Sequence, residues 1–294
     1  MADLFTGFDT VDHPVGQGVV HARVGGRGAP VLLLHGFPQT HAMWHRVAPR
    51  LAEKNTVVAA DIRGYGSSRG GGEFTFRAMA GDLILLMDEL GYERFHVVGH
   101  DRGARVAHRM AFDHPHRVAS VALLDILPTL DVWELMDAWL VRRYYHWAFL
   151  AQPGGLPERL ISNDPIFFLH HTLRGLSGSL VVFDPAALQE YERAAQRPEV
   201  VAAWCADYRS AAGEDLDHDR ADLSRTLDIP ALVLWGANGV VGAKCDPLQR
   251  WRKHFPKATG ASVAAGHFLA EEAPDTVFGY LSEHLAANLA GDGV

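Results

Sequence analysis

The chain has 294 residues, 48% hydrophobic and 21% charged, enough to bury the core of one large domain or of one domain carrying an insertion. Its net charge of −8 at pH 7 argues against nucleic acid or an anionic membrane as the main partner, since both select basic patches; an anionic ligand must find local positive charge. Two cysteines, Cys205 and Cys245, exclude a disulfide framework at this size, and with no apolar leader in MADLFTGFDT and no run of about 18 apolar residues, the chain reads as cytoplasmic.

In chain order, VVHARVGG (19–26) is expected to start a sheet as an antiparallel edge. Short β-branched or Leu-rich runs follow at PVLLLHG (30–36), NTVVAAD (55–61), FHVVGH (95–100), VASVALLD (118–125), IPALVLWG (229–236) and ASVAAGH (261–267). Helical stretches separate them, which is the signature of a mainly parallel α/β sheet with helices on both faces. RGGGE (69–73) is a candidate mobile loop. The strand–helix rhythm breaks after Asp125 and returns at Ile229, around a block rich in Trp, Tyr and His with helical periodicity. The expected organisation is a core of 1–126 and 226–294 with an inserted helical cap of 127–225.

GHDRG (99–103) fits the pattern Gly-x-nucleophile-x-Gly on a sharp strand-to-helix turn, with Asp101 at the tip. The alternative is an N-capping Asp on the following helix. GHFLAEEAP (266–274) follows the last strand and puts His267 at a C-terminal strand edge, where open α/β sheets gather their sites, so His267 is the candidate base. HGFPQ (35–39) also follows a strand and offers one oxyanion-hole N–H from Phe37, the second coming from Arg102; His35 is read as structural. DIRGYGSS (61–68) is assigned no chemistry.

On these residues the chain resembles the α/β-hydrolase family over nearly its whole length, in the aspartate-nucleophile branch of dehalogenases and epoxide hydrolases. The resemblance implies an acid that orients the histidine. Asp125, closing VALLD, is assigned that role, with Asp246 in reserve because the loop after ALVLWG carries Asn238 and no earlier acid. A carboxylate nucleophile attacks sp³ carbon in line and becomes the acyl half of an ester, so the leaving group must sit on saturated carbon. His267 then activates the water that opens that ester.

Arg102 and Arg105 lie on one face near the elbow, and two guanidiniums beside one carboxylate leave a surplus charge. A second anion, a substrate carboxylate held by the planar fork, would compensate it. The alternative is that both arginines form structural salt bridges. In the cap, YHW supplies His146 and Trp147 and DYR supplies Tyr208, each a ring N–H or O–H donor able to hold a departing halide, or else generic packing.

The combination HDRGAR, LLDILPT, YHW and DYR resembles haloacetate dehalogenases of the fluoroacetate type. That resemblance implies Asp101 as nucleophile, Arg102 and Arg105 on the substrate carboxylate, His146, Trp147 and Tyr208 around the halide, and a homodimer. The expected reaction converts a small 2-haloacid to the 2-hydroxy acid and halide, without cofactor or metal. Two departures stand out: segment 167–185 has no Trp or Tyr, and the glycine-rich loop is short. The competing readings are an epoxide hydrolase with the same Asp/His machinery and a non-catalytic small-molecule receptor. An uncharged epoxide would leave both arginines unpaired.

Overall fold

The computed structural model describes residues 3–16 and 18–288. Its frame is one eight-stranded sheet of β1 (Asp9–Val15), β2 (Gly18–Gly26), β3 (Ala29–Leu34), β4 (Asn55–Ala60), β5 (Phe95–His100), β6 (Val118–Leu124), β7 (Ala231–Gly236) and β8 (Thr259–Val263). In space the order is β1-β2-β4-β3-β5-β6-β7-β8. β1 and β2 pair antiparallel, as do β2 and β4, and every later pair is parallel. β5 and β6 are buried along their whole length, as central parallel strands covered on both faces must be.

The expected edge is corrected by the structure: the 19–26 segment is an inner strand, and β1 is the edge. Register pairs Asp12 with His21 and Val15 with Gly18. β1 reads DTVDHPV, with acids and a proline that suit an edge and blunt its propensity signal. The last strand also ends earlier than the 261–267 run suggests, at Val263, so His267 stands on the loop beyond it.

Helices α1 (Ala48–Leu51), α2 (Phe76–Glu89) and α3 (Arg102–Asp113) connect the first strands. Between β6 and β7 lie α4 (Thr129–Glu134), α5 (Ala138–Arg143), α6 (Tyr145–Leu150), α7 (Leu156–Ile161), α8 (Pro165–Ser177), α9 (Pro185–Ala195), α10 (Pro198–Ala211) and α11 (Glu214–Ala221). α12 (Val240–Lys244) and α13 (Pro247–Trp251) separate β7 from β8, and α14 (Leu269–Glu272) and α15 (Pro274–Ala287) follow it. A repeated Asp-Pro start sets three of these helices: Asp164, Asp184 and Asp246 each accept a main-chain N–H of the first turn while Pro takes the first helical position. No helix among the described residues is long and apolar enough to cross a membrane. Cys205 and Cys245 are free thiols. Arg69, at the head of the glycine-rich loop, bridges to Val19.

The C-terminal ends of β3, β5, β6 and β8 open toward one crevice, each leading directly into a loop that carries a candidate residue. This is where an open parallel sheet presents unsatisfied loop ends to a ligand.

Candidate active site

The turn after β5 is forced into shape by close backbone approaches. A Cβ at Gly99 would lie 2.5 Å from the Ala104 nitrogen, and one at Gly103 would lie 2.4 Å from the His35 carbonyl oxygen, so strand and helix can meet there only through glycine. The residue between takes the strain: Asp101 has φ 47 and ψ −115, a conformation that L side chains rarely adopt. Although Asp101 stands at the N-cap position of α3, its side chain caps nothing. Instead Oδ1 accepts the Phe37 main-chain N–H at 2.9 Å. Burial pushes the Asp101 carboxyl up, but His267 and the two arginines outweigh it and hold the pKa at about 2, so the group is an anion at neutral pH. Among the described residues the Arg102 main-chain N–H makes no hydrogen bond to that carboxylate, and Phe37 is its single backbone donor.

His267 is reached from the other side of the crevice. Its Nδ1–H donates to Asp125 Oδ2 at 2.6 Å, and Asp125 Oδ1 accepts the Gly236 N–H at 2.9 Å, fixing the acid to the next strand. Nε2 then stands 3.8 Å from Asp101 Oδ2, too far for a direct hydrogen bond. Burial lowers the His267 pKa, yet the bond to Asp125 and the charges of Asp125 and Asp101 more than reverse that, and the net shift is upward. Asp246 is elsewhere, exposed and capping α13 through the Gln249 N–H. His35 donates to the Gly36 carbonyl and accepts from the Ile62 N–H at 3.1 Å, tying two loops together. His100, unremarked in the sequence, donates through Nε2 to the His267 carbonyl at 2.8 Å and props that loop; burial drives its pKa to about 3 and keeps it neutral.

The two arginines do not share one environment, which corrects the simple count of two cations against one anion. Arg102 is fully buried and paired with Asp207 of α10: Nε donates to Oδ2 at 2.8 Å, Nη2 to Oδ1, and Nη2 also to the Asp207 carbonyl at 3.0 Å. Tyr65 Oη donates to Asp207 Oδ2 at 2.7 Å. Arg105, also buried, has no carboxylate in hydrogen-bond reach; Nη1 donates to the Leu127 carbonyl at 3.0 Å and Thr129 Oγ1 at 2.9 Å. Burial, then repulsion from Arg102, lowers its pKa. One guanidinium is therefore ion-paired and the other is not. Among the described residues the buried Arg102 Nη1 and Arg105 Nε have no acceptor, and leaving such donors unmatched costs about 1–3 kcal/mol each.

His146 and Trp147 on α6 and Tyr208 on α10 line one small cavity with Phe37, Asp101 and His267. The rings pack edge to face: Trp147 and Tyr208 centroids are 5.9 Å apart at 85°, and Phe37 and Tyr208 5.1 Å apart at 76°. The Tyr208 hydroxyl is buried without a partner. Burial holds His146 at a pKa of about 3, so it is a neutral imidazole. The Arg105 guanidinium lies 4.6 Å from the Trp147 ring centroid, and that of Arg102 lies 4.2 Å from the Tyr208 ring.

Tyr144 and Leu176 complete the lining, and sequence reasoning missed both, along with Asp207, Tyr65 and His100. Asp207 carried a signal, being an acid that directly follows the apolar run VVAAWCA of α10, where burial demands a partner. Leu176 carried none, since its role follows from where α8 crosses the crevice; its carbonyl also accepts the His267 N–H at 3.4 Å.

A model of the alpha/beta hydrolase fold matches residues 29–274. The chain is 42% identical to a fluoroacetate dehalogenase from Burkholderia sp over 98% of its own length and 97% of the relative's. It is 33% identical to a soluble epoxide hydrolase from Corynebacterium sp. strain C12, covering 88% of this chain and 90% of that one. Among solved structures it is similar to ALR0039 from Nostoc sp PCC 7120, with 46% identity, a TM-score of 0.94 and coverage of 96% and 99% of the two chains.

Proposed function

The chain belongs to the alpha/beta-hydrolase family, and on that premise we propose that it is a hydrolase acting on carbon–halide bonds, converting a small 2-haloacid such as chloroacetate or fluoroacetate to glycolate and halide. The observation that carries this reading is that three buried donors without acceptors among the described residues, Arg102 Nη1, Arg105 Nε and Tyr208 Oη, belong to two arginines whose charges act on the anionic Asp101 carboxylate and to a tyrosine that lines its cavity. A ligand with a carboxylate at one end and a halogen at the other would satisfy both groups of donors.

In the first step Asp101 Oδ2 attacks C2 of the haloacid in line, forming a C–O bond as the carbon–halogen bond breaks, and the halide leaves with the bonding pair. Arg102 and Arg105 hold the substrate carboxylate and offset repulsion between two anions at low dielectric. His146, Trp147 and Tyr208 surround the departing halide.

In the second step His267 Nε2 takes a proton from water, and the hydroxide oxygen adds to the Asp101 carboxyl carbon. The oxyanion is met by the N–H groups of Phe37 and Arg102. Collapse breaks the acyl–oxygen bond, restores Asp101 and releases glycolate with the proton returned. Esterification also removes the Asp101 charge, one of the charges that raises the His267 pKa, so the base becomes easier to deprotonate at the stage that needs it. Asp125 holds the tautomer.

Residues 127–225 form the cap and 1–126 with 226–294 the core in this reading, the cap supplying the halide side and the core the nucleophile, base and carboxylate clamp. We further propose a homodimer working in the cytoplasm, tested by light scattering on the purified protein and by cell fractionation.

The epoxide-hydrolase alternative is supported by the Corynebacterium relative and by the buried tyrosines Tyr144 and Tyr208, but an uncharged epoxide leaves Arg105 without a counter-ion. Incubation with chloroacetate, fluoroacetate and styrene oxide, following halide and diol, tests the reading. Halide from the acids alone is expected. Diol formation would overturn it, and no product from any substrate would leave a binding protein.

A further inference from the structure

Away from the crevice, β1, β2 and the loops after β3 and β4 bring together residues to which the sequence assigned no chemistry. His21 on β2 stands across from Asp12 on β1, and its Nδ1–H donates to Asp12 Oδ1 at 2.8 Å. His41, 7% exposed, opens a short 3-10 turn and donates through Nδ1 to Asp61 Oδ1 at 3.0 Å. Asp61 is held in turn by the main-chain N–H groups of His41 and Ser67, each at 2.7 Å.

Both imidazoles thus have a carboxylate on Nδ1, which fixes the tautomer with the lone pair on Nε2. Among the described residues both rings make their side-chain hydrogen bonds through Nδ1, and none is recorded for either Nε2. The two rings lie 5.3 Å apart between centroids, and both residues line the same polar cavity. One ring nitrogen from each of His21 and His41, Nδ1 or Nε2, and one carboxylate oxygen of Asp61 fall within 4.8 Å of one another, so the two imidazoles and the acid behind His41 form one cluster. The guanidiniums bordering that cavity are already matched, Arg23 with Asp3 and Arg193 with Glu190, so they do not oppose a cation there.

A carboxylate behind an imidazole is the arrangement that orients histidine toward a metal and raises its basicity. Paired imidazoles with nearby carboxylate select divalent d-block cations of the zinc, nickel and cobalt type over calcium or magnesium. We propose that His21 and His41, backed by Asp12 and Asp61, form a binding site for one such cation, separate from the Asp101 crevice. Such an ion would clamp β2 to the loops after β3 and β4, only two residues from Gln39, which donates to Tyr191 of α9 at 3.3 Å.

The experiment is calorimetric titration of untagged, EDTA-stripped protein with zinc chloride, with metal content checked by mass spectrometry and cobalt(II) absorption as a spectroscopic probe. One zinc per chain is expected. His21→Ala should weaken it at least about 30-fold, and Asp12→Asn, which removes only the backing carboxylate, about 10-fold, the range typical of outer-shell partners. Turnover of the site at Asp101 should be unchanged in both variants. Absence of saturable binding by the wild-type chain overturns the proposal. So does zinc affinity in His21→Ala equal to that of the wild type, which would place the metal on other histidines.

Discussion

Arg105→Gln removes a buried guanidinium whose charge acts on Asp101 and which has no carboxylate in hydrogen-bond reach among the described residues. If that charge faces the substrate carboxylate at about 5 Å, the attraction at an effective dielectric of about 20 is about 3 kcal/mol. The unmatched Nε donor gives a similar figure by a different route, about 1.5–3 kcal/mol for one hydrogen bond to a charged group. The two describe one interaction, so the expected loss is about 3 kcal/mol, or about 10²-fold in kcat/KM, at about 1.4 kcal/mol per factor of ten. The variant also deprives the Leu127 carbonyl and Thr129 Oγ1 of a donor, so a fall in melting temperature is expected and must be separated from activity. The assay is halide release from chloroacetate with active sites counted by a burst, alongside inhibition by acetate, whose Ki should rise by the same factor. Acetamide, the uncharged isostere, should be little affected. A loss below about 3-fold, or equal weakening of acetate and acetamide, would refute the assignment of this charge to the substrate carboxylate.

Asp101→Ala should abolish halide release, and a single turnover of the wild type in heavy-oxygen water should leave label in the Asp101 side chain, read by peptide mass spectrometry. Trp147→Phe should harm fluoroacetate turnover more than chloroacetate turnover by removing one donor, and equal losses would count against a halide pocket there. His267 must be neutral to take the water proton, so kcat should fall as pH drops through its pKa in the ester intermediate, which lies below that of the free enzyme because the Asp101 charge that raises it is gone; Asp125→Asn, besides lowering kcat on the order of 10⁴-fold, should move the acid limb to lower pH because burial then dominates. Glu271 accepts from Tyr191 and is pushed up to about 8 by burial, only partly opposed by that bond. Its folded pKa lies above the unfolded value, so the folded state binds the extra proton and stability should decline as pH rises from about 5 to 8; urea melts of Glu271→Gln should lack that slope.

The parts of this protein that depend on near neighbours in the chain were legible in the one-dimensional string. The β-branched runs, the glycines flanking Asp101 and the Asp-Pro helix starts are local, because close backbone approach and capping involve residues one to four positions apart. Asp101 was a candidate through the Gly-x-Asp-x-Gly turn, His267 through its place after a strand end, and Asp125 only through the family resemblance; the structure brings Asp125 to the His267 ring and leaves Asp246 exposed on another loop. The edge strand was misplaced because β1 carries the acids and proline that edges tolerate, which mask its alternation.

What only the tertiary structure decided is which charges meet. Arg102 and Arg105, three residues apart, look equivalent on a helix, yet Asp207 arrives from 105 residues away to pair with one of them and leaves the other without a counter-ion. Leu176 enters the cavity and His21 meets His41 for the same reason. Packing of distant segments sets the distances on which electrostatics and coordination depend, and no periodicity within a segment encodes them.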